Sequence, residues 1–231
     1  RRLIEIYFIV DKTNFIVGYT KFLLRDDNAT VYDINGNVKA RSDPGDAEIG
    51  TSAYDIAVSY LGDRFVYCYI DQKEGDTDLR IYLNNGSQVG TETDIDTASS
   101  PSTNLDNLVD CVAKNESRAA VVWYDAGAAD DVTFNIVNNI GTTLYTDADI
   151  DNAVGNTARV SVTALYNDRA AMVFYDAADA DITIAIRDIN NNVRLAPKDI
   201  EVNAGTINRV AIATIKNETK EYFVVVWLNN T

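Results

Sequence analysis

The chain has 231 residues, of which 46% are hydrophobic and 24% charged, the composition of an ordinary globular protein with room for one large all-β domain or two small ones. Its formal charge of −15 argues against nucleic acid or an anionic membrane as a partner, because both polyanions need a basic face. The longest apolar runs are strand-sized and far short of the roughly 18 residues of a membrane span, and the absence of histidine removes Cys–His pairs and histidine–metal sites.

From the first residues onward, apolar segments arrive in pairs. LIEIYFIV (3–10) is followed by NFIVGY (14–19), YDIAVSYL (54–61) by RFVYCYI (64–70), and LVDCVA (108–113) by AAVVWY (119–124). VSVTALY (160–166) then precedes AAMVFY (170–175), and VAIATI (210–215) precedes YFVVVWL (222–228). Aligned on the end of the second segment, Thr20, Asp71, Asp125, Asp176 and Asn229 are equivalent, with spacings of 51, 54, 51 and 53 residues. A fixed period of this length is the signature of a repeat architecture.

The second segments are apolar on both parities, so both faces of each strand need cover. The third segments alternate instead, with Val132, Phe134 and Ile136 set against Thr133 and Asn135, and Ile182, Ile184 and Ile186 against Thr183 and Ala185. NGN (35–37), NNG (84–86), NNIG (138–141) and NNN (190–192) follow, and Asn and Gly accept the positive φ of tight hairpins. Helix signals are nearly absent. Four antiparallel strands in about 50 residues, the inner ones buried on both faces, are what a β-propeller blade requires. We therefore expect an all-β propeller with a repeat of about 51 residues, the alternatives being a β-solenoid and a β-sandwich. A single domain over 1–231 would divide into repeats at 3–52, 53–107, 108–158 and 159–208, with a half repeat at 209–231. Tyr69, Trp123, Phe174 and Trp227 share one repeat position and belong to the core between blades. The half repeat supplies only a first and second strand. Either the chain stops short of a later blade or another subunit provides the missing strands.

The run VVWYDAGAADDVTFNIVNNIG resembles the blades of bacterial and archaeal extracytoplasmic β-propellers, the TolB-like and "VVW" repeat proteins. In those blades a buried strand ending in an aromatic leads through an Asp-rich loop to a further strand and an Asn/Gly turn. The resemblance implies a propeller outside the cytoplasm and no particular site, because the kelch, Trp–Asp, sialidase and DxDxDG signatures are missing. An opening Arg1–Arg2 without methionine suits a processed product or a fragment.

In a propeller, the loops joining second to third strands and the inter-blade segments share one face. Those segments hold 23 of the 35 acidic residues, so one face is expected to be strongly acidic and the other mildly basic. Acidic turns are usually just solvated, but clustered carboxylates also suit calcium. The candidate ligands are Asp71, Asp76, Asp78, Asp125, Asp130, Asp131, Asp176, Asp179 and Asp181. Five Asn-x-Ser/Thr sequons occur, and Asn28, Asn85, Asn115 and Asn217 are candidate glycan acceptors beside Asn229. Cys68 and Cys111 both lie in apolar segments, either as two buried thiols or as one disulfide.

Without histidine, catalysis would fall to a carboxylate pair, as in glycosidases, yet the acids recur with the blades as structural positions do. The expectation is a non-catalytic extracellular, cell-surface or virion-surface module for assembly or adhesion. Its partner would be protein, including further copies of itself. A carbohydrate-binding propeller and a glycoside hydrolase are the alternatives.

Overall fold

The computed structural model describes residues 4–9, 14–21, 26–33, 35–42, 53–71, 75–96, 108–126, 130–145, 148–155, 159–216 and 221–229. Eighteen strands and no helix occur among them. The first sheet runs β1 (Ile4–Ile9), β2 (Asn14–Lys21), β3 (Asp26–Asp33) and β4 (Val38–Ser42), paired in that order. The second repeats the pattern with β5 (Ala53–Leu61), β6 (Arg64–Asp71), β7 (Asp76–Leu83) and β8 (Gln88–Asp96). The third has β9 (Val109–Asn115), β10 (Arg118–Asp125), β11 (Asp131–Asn138) and β12 (Ala148–Asp151). The fourth has β13 (Arg159–Leu165), β14 (Arg169–Asp176), β15 (Asp181–Asp188) and β16 (Val193–Glu201). The fifth contains β17 (Ile207–Lys216) and β18 (Glu221–Asn229) alone.

Each sheet is an antiparallel meander, and the first strands of the second to fifth sheets pack in sequence, β5 on β9, β9 on β13 and β13 on β17. This is a β-propeller of four complete blades and half of a fifth. Burial falls from the inner strands outward, as a blade demands. In the fourth blade, β14 is almost wholly buried while β16 is exposed along nearly its whole length. The doubly apolar second strands occupy the places their composition requires. Val121, Val122, Trp123, Ala171, Met172, Val173 and Phe174 all have 0% exposure. One core joins the second, third and fourth blades, and another joins the fourth blade to β17 and β18.

A first strand lines the axis and has no ladder partner on its inner edge, so its neighbour must satisfy backbone groups there. Side chains repeated along the chain do this. Asp55 Oδ2 accepts the N–H groups of Leu108 and Val109, and Asp110 Oδ2 accepts from Val162 N–H and the Ser161 hydroxyl, both at 2.8 Å. Ser161 Oγ in turn accepts the Ile212 N–H, and Ser59 Oγ accepts the Ala113 N–H. The second, third and fourth blades thereby each grip the backbone of the sheet that follows.

The hairpins closing third onto fourth strands use the Asn-rich turns as expected. Asp33, Asn138 and Asp188 each accept two N–H groups, two and four residues on, through one side-chain oxygen. Gly36, Gly86, Gly141 and Asn191 take the positive φ. In the first blade the hairpin register sets Lys21, not Thr20, opposite the first residue of β3, so the equivalence shifts by one residue there.

Candidate functional site

The acidic positions lie at the ends of strands more than in loops. Asp76 opens β7 opposite Asp71, Asp131 opens β11 opposite Asp125, and Asp181 opens β15 opposite Asp176. All but Asp176 of these six are buried. Their burial has a repeated structural use. Asp131 Oδ1 accepts the Ala153 N–H at 3.0 Å and Asp181 Oδ1 accepts the Asn203 N–H at 2.8 Å, each 22 residues on. Both donors, Ala153 and Asn203, adopt positive φ. The carboxylates thus fix the segment that carries the chain from one blade to the next.

The same segments bring adjacent loops onto one face. Val154 N–H donates to the Asp130 carbonyl, while the Val154 carbonyl accepts from Ala177 and Ala178 in the next blade. Asp151, Asp176, Asp179 and Asp199 are consequently crowded. Burial, followed by the carboxylates of Asp176, Asp199 and Asp179, holds Asp151 above the ordinary carboxylate range despite a bond from Asn152 N–H. Asp176 is raised in the same way, by burial and by Asp179 and Asp181, against N–H bonds from Asp179 and Ala178.

Of the nine candidate ligands, Asp76 and Asp78 come together, joined by Asp94 of β8. One carboxylate oxygen from each of the three lies within 4.8 Å of the others. Asp94 was missed as a ligand, although its register opposite Asp78 is what places it there. Asp125, Asp130 and Asp131, and likewise Asp176, Asp179 and Asp181, do not converge in this way among the described residues. Asp130 instead accepts the Tyr124 hydroxyl, and Asp176 closes a turn on Ala178 and Asp179. Glu74, Asp147 and the acids at 43–48 lie outside the described residues.

The opposite face is formed by the other two sets of turns, tied together by cations. Arg64 donates to the Asn139 carbonyl at 2.8 Å, Arg118 to the Ile189 carbonyl and Lys114 to the Leu165 carbonyl, each reaching into the next blade. Two sequons sit here on exposed turns, with Asn85 accepting the Ser87 N–H and Asn115 accepting the Ser117 N–H and hydroxyl. Asn28 is on β3, and Asn217 lies outside the described residues. Cys68 and Cys111 are buried free thiols in one core cluster. The Cys68 sulfur and burial together push the Cys111 thiol up.

Among the described residues, β17 and β18 expose a run of large apolar side chains. Along β17, Val210 and Ile212 are buried, while Ala211, Ala213 and Ile215 face outward. Their partners Val226, Val224 and Tyr222 on β18 are 57%, 45% and 51% exposed, and Leu228 is 57% exposed. The result is an apolar sheet face that no blade covers among the described residues. Trp227 is 40% exposed, whereas Trp123 and Phe174, at the same repeat position, are at 0%. In those two blades a third strand and a following blade provide the cover.

The fold is shared with solved structures of low sequence identity. The BP39L lectin from Burkholderia pseudomallei superposes with a TM-score of 0.62 at 10% identity, over 94% of this chain and 65% of its own. A mutant of AofleA from Arthrobotrys oligospora gives 0.56 at 10% identity, over 97% of this chain and 65% of its own. A prolyl endopeptidase gives 0.53 at 12% identity, over 96% of this chain and 32% of its own. The chain therefore spans 32% to 65% of the length of these proteins. No protein-family model matches the sequence, and no curated protein matches it.

Proposed function

We propose that the chain is a non-catalytic extracellular interaction module that joins a larger assembly through its fifth blade. The observation that carries this reading is the exposed apolar face of β17 and β18, on which Tyr222, Val224, Val226 and Leu228 are all at least 45% exposed. A contiguous apolar patch of this kind marks an interaction surface. The non-catalytic part is supported by the roles of the acids. With no histidine, a carboxylate pair would have to act, and the repeated pairs support connectors and turns instead. Placement outside the cell is supported by the two sequons on exposed turns, and intact-mass measurement before and after glycosidase treatment tests it. Sedimentation of the purified chain across a concentration and salt series tests the assembly itself. Association that Val226→Lys abolishes is expected, and a monomer at every concentration refutes it.

A second element of the proposal is a divalent cation, favoured by the convergence of Asp76, Asp78 and Asp94. Oxygen-only ligands suit calcium. Binding to the native state alone raises stability by mass action, about 2.7 kcal/mol at a hundredfold excess over Kd. Millimolar calcium should raise the Tm of the chelated protein, and Asp94→Asn should remove the rise. A Tm unmoved by calcium would discard the cation.

A further inference from the structure

We propose that Cys68 and Cys111 are the two halves of an inter-blade disulfide, which closes when the chain folds in the presence of a low-molecular-weight disulfide. The assignment is independent of the assembly reading above, because both residues lie in complete blades.

Cys68 is in the middle of β6, opposite Ala57 of β5 on one side and Leu79 of β7 on the other. Cys111 is on β9, opposite Val121 of β10. β9 is the first strand of the third blade, and it packs against both β5 and β6 of the second. Cα atoms of β6 and β9 come within 8 Å of one another, inside the roughly 10 Å that separates sheets packed face to face. Both cysteines are buried in the core that joins these blades, and the two thiols hydrogen-bond each other. Sulfurs in that contact need only a short approach to bond, at about 2 Å.

The setting is the opposite of the electropositive one that makes a cysteine reactive toward outside molecules. The Cys68 sulfur, burial and the Asp110 carboxylate all push the Cys111 thiol up. Bond formation therefore belongs to the folding chain, before the blades close over the pair. One cysteine thiolate attacks a sulfur of oxidised glutathione and expels one glutathione thiolate. The second attacks the protein sulfur of the resulting mixed disulfide and expels the other. One S–S bond breaks and one forms, two electrons pass to glutathione, and the two cysteine protons end on the two glutathione thiols. Once the blades close, the same burial shields the bond from reductant.

The bond closes the loop from Cys68 to Cys111, which holds β7 and β8, and ties the second blade to the third. Cross-linking removes conformations from the unfolded chain, so the oxidised protein should melt about 5–15 °C above the reduced one.

The test uses the intact 231-residue chain, refolded from urea in glutathione buffers of graded oxidised-to-reduced ratio. Free thiols are then alkylated with iodoacetamide in denaturant, and the intact mass is read. A monomer with no alkyl group is expected in the oxidising buffers, its peptide map joining Cys68 to Cys111. Against the same chain held in urea, folding should shift the midpoint about tenfold or more toward reducing buffer, because a bond that stabilises the fold is stabilised by it in equal measure. Two alkyl groups at every ratio, a glutathione adduct or a bond between two chains overturns the proposal. So does a midpoint that folding leaves unmoved, since the fold then does nothing to bring the two thiols together. Cys68→Ala and Cys111→Ala should each melt at one temperature in oxidising and reducing buffer. Where a variant does not fold, the midpoint of the unaltered chain decides.

Discussion

Asp110 shows how one carboxyl serves the ring at an electrostatic cost. Burial raises it to about 6, although bonds from Val162 N–H, the Ser161 hydroxyl and Cys111 N–H each pull it down. The unfolded chain has this group near its ordinary value of 3.8. Between those values the native state binds the proton more readily, so this group's contribution to stability falls as pH rises from about 4 to about 6. Asp151 and Asp176, both raised, act in the same direction. Asp188 acts in the opposite sense. Burial raises it, but bonds from Asn192, Asn190 and Arg194 outweigh this and hold it at about 2, so its stabilisation is lost only as pH falls below 3.8. The expected outcome is a Tm that rises as pH is lowered from 7 to 5, with a smaller rise in Asp110→Asn. An identical slope in the variant would contradict the assignment. Trp123 makes a different kind of contact, since its Nε1 donates to Asp96 Oδ2 at 2.8 Å from within a fully buried ring. Trp123→Phe removes that charge-assisted bond and part of the ring, and urea unfolding should register a loss of about 2–3 kcal/mol.

The segments between blades are elements in their own right, and their geometry is set by backbone as much as by charge. Gly155 sits at φ +78°, and a Cβ there would meet Ala178 N at 3.0 Å and the Ala177 carbonyl carbon at 3.3 Å. Gly155→Ala should therefore cost about 1–3 kcal/mol by urea unfolding. A neutral result would mean that the 152–155 connector is not held as described. The sequence made the strands and turns plain because their signals are local. Doubly apolar runs, alternating runs and Asn/Gly pairs each constrain a few neighbouring residues. What the acids do was less legible. Asp131 and Asp181 read as loop carboxylates because their partners, Ala153 and Asn203, are 22 residues away and bond through backbone N–H. Asp55 and Asp110 do carry a sequence signal, an aspartate recurring 55 residues apart in otherwise apolar first strands. Asp94 reads in the sequence as one more acid of an inter-blade segment, and only the register of β7 with β8 sets it opposite Asp78.

At the scale of the whole molecule, the propeller is a row of similar sheets in which each blade needs a neighbour on both faces. Among the described residues the fifth sheet holds β17 and β18 alone, and its apolar face is exposed. Amide hydrogen exchange on the chain in its monomeric form reads this difference between the fifth sheet and the others. Strong protection is expected throughout β10 and β14, where both edges are paired. In β18, fast exchange should appear at alternate residues, because only the β17 side is bonded. Uniform protection of Glu221–Asn229 equal to that of Arg169–Asp176, in a chain of monomeric mass, would contradict it by showing that the ring already covers this edge.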